Sequence, residues 1–156
     1  MNDKKHFPIL IPERVEFDKK TESKKCVFDS LTALLVKNQS EVTKNQIFDA
    51  LIAREKLGET YIGGGIALPR AHLEVTHPRA ALLALRQGIS LSSADKKPIQ
   101  VFLGILLPSV NHESYSLLLS EFNKKILLED DLQSIIKSEN KDKVASHFDN
   151  LLINTI

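Results

Sequence analysis

Residues 59–74 read Glu59-Thr-Tyr-Ile-Gly-Gly-Gly-Ile-Ala-Leu-Pro-Arg-Ala-His-Leu-Glu74, and the rest of the chain is interpreted around this stretch. Its three consecutive glycines can adopt positive φ and let the backbone come close to another group. Pro69 follows an apolar run and restricts the backbone at the exit. A glycine-rich turn, a rigid exit and a polar segment together predict a functional site in this region.

The chain before this stretch predicts a tail, a strand and two helices. Residues 1–12 are expected to form an N-terminal tail, and residues 13–17 alternate polar and apolar side chains as a half-buried edge strand does. Ser23 is a suitable N-cap for a helix that ends near Asn38. Thr43 and Gln46 form a capping box for a second helix.

After the glycine stretch, two apolar runs at residues 80–85 and 101–107 have the length and composition of central strands covered on both faces. The residues between them, 87–98, carry no packing signal. The last third of the chain has three groups of apolar residues at helical spacing. We therefore expect residues 13–156 to form a single-domain α/β sandwich with a small mixed sheet of about five strands flanked by helices.

Composition excludes several classes of protein. The 21 basic residues nearly balance the 20 acidic residues, so nothing global indicates a nucleic acid or an anionic membrane as partner. No apolar run approaches the roughly 20 residues needed to span a bilayer, and membrane insertion is not expected. Cys26 is the only cysteine, so we expect a cytoplasmic protein in which it is a small packing residue. No spacing predicts a metal site or a cofactor.

Arg54 and Glu55, followed by the glycine stretch and by residues 65–69, Gly-Ile-Ala-Leu-Pro, resemble the active-site segment of one protein family. This family is the enzyme IIA domains of the phosphotransferase system, of the fructose/mannitol type and particularly of its nitrogen-regulatory branch. The resemblance covers the chain from about residue 9 to residue 152. It implies the enzyme IIA fold, a five-stranded mixed sheet flanked by helices.

In the family the residue after this proline is the histidine that accepts a phosphoryl group, and here it is Arg70. A guanidinium has no accessible lone pair, so Arg70 is expected to be inactive as an acceptor. The resemblance places Arg54 and the glycines around the phosphate, and Arg70 can join them. The sequence thus predicts an anion site; the alternative is that Arg70 pairs with a nearby glutamate. The predicted anion site comprises Arg54, Gly63, Gly64, Gly65 and Arg70.

The family's second active-site histidine aligns with Tyr115. Two other histidines could replace the missing acceptor. His72 shares a strand face with Arg70 but is displaced by roughly 7 Å along it. His112 lies about one helical turn before Tyr115 and can reach the same region.

Two functions remain open from these residues. One is a regulatory protein-binding module that cannot accept phosphate at the usual motif position. The other is an active phosphoryl carrier that uses His72 or His112. The resemblance implies protein partners, either a phosphocarrier of the phosphotransferase system or regulated transporter and sensor proteins, and leaves the oligomeric state open.

Overall fold

The computed structural model describes residues 7–17, 20–21, 23–90 and 97–156. These residues form a mixed sheet of six strands. Its strands are β1 Val15–Phe17, β2 Tyr61–Gly63, β3 Ile66–Ala67, β4 Arg70–Leu73, β5 Arg79–Ile89 and β6 Ile99–Pro108. The strand order is β1-β5-β6-β3-β2, and β4 also pairs with β6.

Strands β3 and β4 run in one line along the same side of β6. Ile66 pairs with Val101 and Arg70 pairs with Ile105, so both strands keep the same parallel register with β6. The six strands therefore occupy five positions across the sheet, which confirms the expected mixed sheet of about five strands.

The two predicted central strands are adjacent. Strands β5 and β6 pair antiparallel from Arg79 opposite Leu106 to Ile89 opposite Ile99. Most of their side chains are buried because helices cover both faces of the sheet. Strand β5 continues to Ile89, beyond the predicted run, and the connection predicted at 87–98 lies partly outside the described residues.

Five helices cover the sheet. They are α1 Lys24–Leu35, α2 Lys44–Leu57, α3 His112–Leu127, α4 Leu132–Lys137 and α5 Lys141–Ile153. Helices α1 and α2 pack with Leu83 and Phe102 on one face, while α3, α4 and α5 pack with Leu82 and Leu103 on the other. This confirms the α/β sandwich and the three C-terminal helices. Among the described residues, no helix combines the length and apolarity required for a membrane span.

The predicted helix caps are present. The Ser23 hydroxyl accepts a hydrogen bond from the Cys26 amide at 3.2 Å. Thr43 and Gln46 form the reciprocal capping box that begins α2. Cys26 itself is exposed, so its expected role as a packing residue is wrong. It lies in the first turn of α1, where the buried side of the helix begins at Val27.

The end of the expected tail belongs to the core. Ile9 and Leu10 are buried, and both of their amides donate to the Asp149 carboxylate in α5, at 2.7 and 3.0 Å. A short 3-10 helix, Pro12–Arg14, then leads into β1, which is an edge strand as predicted. The division into a tail at residues 1–12 and a domain at residues 13–156 stays a prediction.

Candidate functional site

A pocket of about 710 Å³ opens at one edge of the sheet, where β4 lies between α2 and α3. Its lining combines basic, hydroxyl and small apolar side chains. The lining residues are Ala50, Ala53, Arg54, Leu57, Arg70, Ala71, His72, Ser109, His112, Ser116, Leu119, Ser120 and Asn123. None of them is acidic, so the pocket has a positive potential that favours an anion.

Helix α2 brings Arg54 to the pocket. The capping box fixes where the helix begins, and Arg54 lies in its last turn as predicted. Its guanidinium Nη1 donates to the Gly58 carbonyl at 2.8 Å, immediately after the helix. This bond fixes one nitrogen, while the planar fork retains other donors for a ligand.

Arg70 begins β4 and its side chain is half-buried. Burial lowers the pKa of its guanidinium, and the positive charge of Arg54 lowers this pKa further. Arg70 forms no ion pair with any residue that the structure describes, and Glu55 instead contacts Lys24 at 2.9 Å. Among the residues it describes, the structure therefore shows no pairing of Arg70 with a glutamate, the alternative expected from the sequence. A bound anion would relieve the repulsion between the two guanidiniums.

His72 and His112 meet inside the pocket. Their rings stack with centroids 3.6 Å apart and planes inclined by 24°. The His72 Nδ1 lies 3.3 Å from the Pro108 carbonyl oxygen, which can only accept, so Nδ1 is the protonated nitrogen. The neutral ring then keeps its lone pair on Nε2.

The surroundings of His72 favour this neutral form. Burial is the largest influence and lowers the pKa of His72; the positive charges of His112 and Arg70 also lower it, whereas the bond to Pro108 raises it. Protonation of two stacked rings would place like charges in contact. His72 is therefore an uncharged imidazole at neutral pH.

The glycine turn lies away from this pocket, unlike the other two members of the predicted anion site. Gly63, Gly64 and Gly65 connect β2 to β3 with φ values of 103°, 61° and 80°. Because β3 and β4 are collinear, Gly65 lies about 16 Å before Arg70 at roughly 3.3 Å per residue. The pocket is therefore lined by Arg54 and Arg70 and not by the glycines, whose part in an anion site stays a prediction.

Of the two candidate residues on helix α3, only one lines the pocket. Tyr115, which was aligned with the family's second histidine, packs partly buried against the core and does not line the pocket. His112 lines it instead. Three further lining residues, Ser116, Ser120 and Asn123, were not predicted, although their spacing from His112 places all of them on one helix face.

Comparison with known proteins agrees with this fold and its motif. The family model described as "Phosphoenolpyruvate-dependent sugar phosphotransferase system, EIIA 2" matches residues 8–151. The nitrogen regulatory protein of Pseudomonas aeruginosa is 32% identical over 114 residues, which are 72% of this chain and 74% of that protein. The crystal structure of nitrogen regulatory protein IIA-Ntr from Neisseria meningitidis has a TM-score of 0.74 at 26% identity and covers 92% of this chain and 96% of that one.

A more distant structure is a complex of enzyme IIA and phosphorylated enzyme IIB of the mannitol system from Escherichia coli. It matches with a TM-score of 0.64 at 21% identity and covers 91% of this chain and 95% of that one. At this identity the likeness shows the shared fold alone.

Proposed function

This chain belongs to the EIIA 2 family of the phosphoenolpyruvate-dependent sugar phosphotransferase system, and we propose that it works as a regulatory protein-binding module rather than as a phosphoryl carrier. It is a protein of the nitrogen-regulatory IIA type. One observation carries the proposal. Arg70 stands directly after Pro69, at the position where the resemblance expects a phosphate-accepting histidine.

The chemistry of arginine supports loss of transfer at this position. Its guanidinium stays protonated, offers only donors and cannot form a bond to phosphorus under cellular conditions. Arg70 also does not mimic a phosphorylated histidine, because it adds one positive charge where a phosphoryl group adds about two negative charges. This position therefore never acquires the negative charge of a phosphorylated histidine.

The surface around the pocket is suited to protein contact. Leu57 is 85% exposed beside Arg54, and Ala53 is exposed next to it. Arginine is enriched at protein interfaces, and a partner can bury the exposed apolar side chains beside it. Proteins of this fold form such complexes, as the mannitol enzyme IIA does with phosphorylated enzyme IIB.

The test is incubation with phosphoenolpyruvate, enzyme I and the cognate phosphocarrier, followed by intact mass spectrometry. The unmodified chain should gain no phosphoryl unit. Arg70→His should gain one, because Arg54 remains to hold the phosphate. Stoichiometric phosphorylation of the unmodified chain would contradict the proposal. The matched control is Arg86→His, which introduces a histidine outside the pocket.

A second candidate function, an active carrier, is favoured by the stacked pair of His72 and His112. The neutral His72 ring has the lone pair that forms a nitrogen–phosphorus bond while the bond from phosphorus to the donor histidine breaks. The Pro108 carbonyl would then hold the remaining ring proton. This candidate predicts a mass gain in the unmodified chain that disappears in His72→Ala and persists in Arg70→Gln.

A further inference from the structure

The backbone of β4 has one paired side and one open side. The Ile105 amide donates to the Pro69 carbonyl at 2.9 Å, and the Ser109 amide donates to the Leu73 carbonyl at 2.9 Å. In a parallel pair, alternate residues direct their peptide groups to the same neighbour. Pro69, Ala71 and Leu73 therefore face β6, whereas the peptide groups of Arg70 and His72 point away from it.

The outward side of β4 has no strand partner among the described residues. Just before β4, the Leu68 amide still makes a hydrogen bond on the side away from β6, to the Thr60 carbonyl at 2.9 Å. Strand β4 itself pairs only with β6. The amides and carbonyls of Arg70 and His72 thus form a short open ladder edge along the pocket.

The two walls of the pocket differ in chemistry. Arg70 and His72 project toward α3, where His112 and Ser116 continue a basic and polar wall. The opposite wall belongs to α2 and presents Ala53 and the exposed Leu57 on either side of Arg54. An extended segment laid between these walls would direct alternate side chains to each of them.

We propose that the pocket takes an extended acidic segment of a partner protein, which adds to the open edge of β4 as a further strand. The segment would alternate acidic residues, facing Arg70 and His72, with apolar residues, facing Ala53 and Leu57. Such strand addition obtains affinity from main-chain hydrogen bonds and specificity from alternate side chains. This inference rests on the proposed protein-binding role and specifies the kind of segment that is bound.

An open edge with a charged residue can also simply protect against aggregation. The two roles differ in their response to a peptide. A protective edge repels added strands, whereas a docking edge pairs with one of complementary charge and pattern.

The probe is the peptide acetyl-Glu-Val-Glu-Val-Glu-amide, titrated into the labelled full chain and followed by amide NMR and hydrogen exchange. We expect shifts centred on Arg70 and His72, with slowed exchange of these two amides. Two control peptides carry N-methyl groups, one on the valine amides and one on the glutamate amides. The charge of the glutamates fixes which face of the added strand they occupy, so either the glutamate amides or the valine amides point to β4, but not both. Only the control peptide that is methylated on the amides facing β4 should bind roughly tenfold to a hundredfold more weakly. The identity of the weakened peptide shows whether the segment runs parallel or antiparallel to β4.

Protein variants test the same bond from the other side. His72→Pro removes an outward amide that pairs with no strand, a position where edge strands accept proline. His72→Pro should bind the peptide more weakly than His72→Val, which keeps the amide. Circular dichroism checks that both variants are folded. No binding up to about 2 mM, or equal binding of both N-methyl peptides, would overturn the inference. Neither result depends on phosphoryl transfer, so the mass-spectrometric test of the proposed function is separate.

Discussion

At the scale of single residues, the charge of Arg70 acts on both of its basic neighbours in the pocket. Arg70 lies close enough to Arg54 for each to repel the other, and it lowers the proton affinity of His72. Arg70 was recognised from sequence because the motif around it is short and contiguous. The contact of His72 with His112 could not be predicted, because it joins a strand to a distant helix whose start was uncertain by about one turn.

This arrangement makes a prediction for the titration of His72. Its folded pKa lies below the ordinary 6.5. The folded protein therefore binds fewer protons at His72 than the unfolded chain, and this contribution to stability is present above pH 6.5 and lost as pH falls toward the folded pKa. Arg70→Gln should raise the pKa of His72, because one positive charge is removed. NMR titration of the imidazole signals measures this, and Arg86→Gln should leave His72 unchanged. A lower pKa in Arg70→Gln would contradict the proposed geometry.

At the scale of elements, local signals were the most reliable. The caps at Ser23 and Thr43 were predicted because each cap uses residues three apart in sequence. The strands at 80–85 and 101–107 were predicted because continuous apolar runs of that length are buried on both faces. The glycine turn was recognised as special, but it does not line the pocket, because sequence proximity does not fix distance along an extended strand.

The glycine turn therefore has a structural role that can be separated from anion binding. At Gly64, which has φ of 61°, a Cβ would make an ordinary contact with the Leu127 Cδ2 at 3.8 Å, whereas a Cβ at Gly65 would lie 3.2 Å from the Pro98 carbonyl oxygen. Gly64→Ala should destabilise the fold by about 1 kcal/mol, the usual cost of a left-handed residue, and Gly65→Ala should cost more. Urea unfolding measures both.

Phosphate titration by amide NMR provides the second readout. Shifts should centre on Arg54 and Arg70, vanish in Arg70→Ala and remain in Gly64→Ala. Binding should weaken as salt rises, because the site is partly exposed. Loss of the phosphate shifts in a folded Gly64→Ala variant would restore the glycine amides to the site.

At the scale of the whole molecule, the order of the helices and the longer strands could be predicted, and so could the two-sided burial of the sheet, whereas the three short strands within residues 61–73 could not. The contribution of the first residues could not. Ile9 and Leu10 lie among charged and proline residues that favour a tail, and their burial depends on a contact with α5 more than a hundred residues away. Periodicity carries no information about a pairing at that separation.

That contact gives a final prediction, which concerns how the chain's two ends stabilise the sheet. The Asp149 carboxylate accepts from the amides of Ile9 and Leu10, at 2.7 and 3.0 Å. Asp149→Ala would leave two sheltered amides without this acceptor, and each such loss costs about 1–3 kcal/mol. We expect a loss of about 2–4 kcal/mol in the free energy of urea unfolding. Asn150→Ala, at the exposed neighbouring position in α5, should change it by less than about 0.5 kcal/mol. Equal stability of the two variants would show that residues 9 and 10 are held by apolar burial alone.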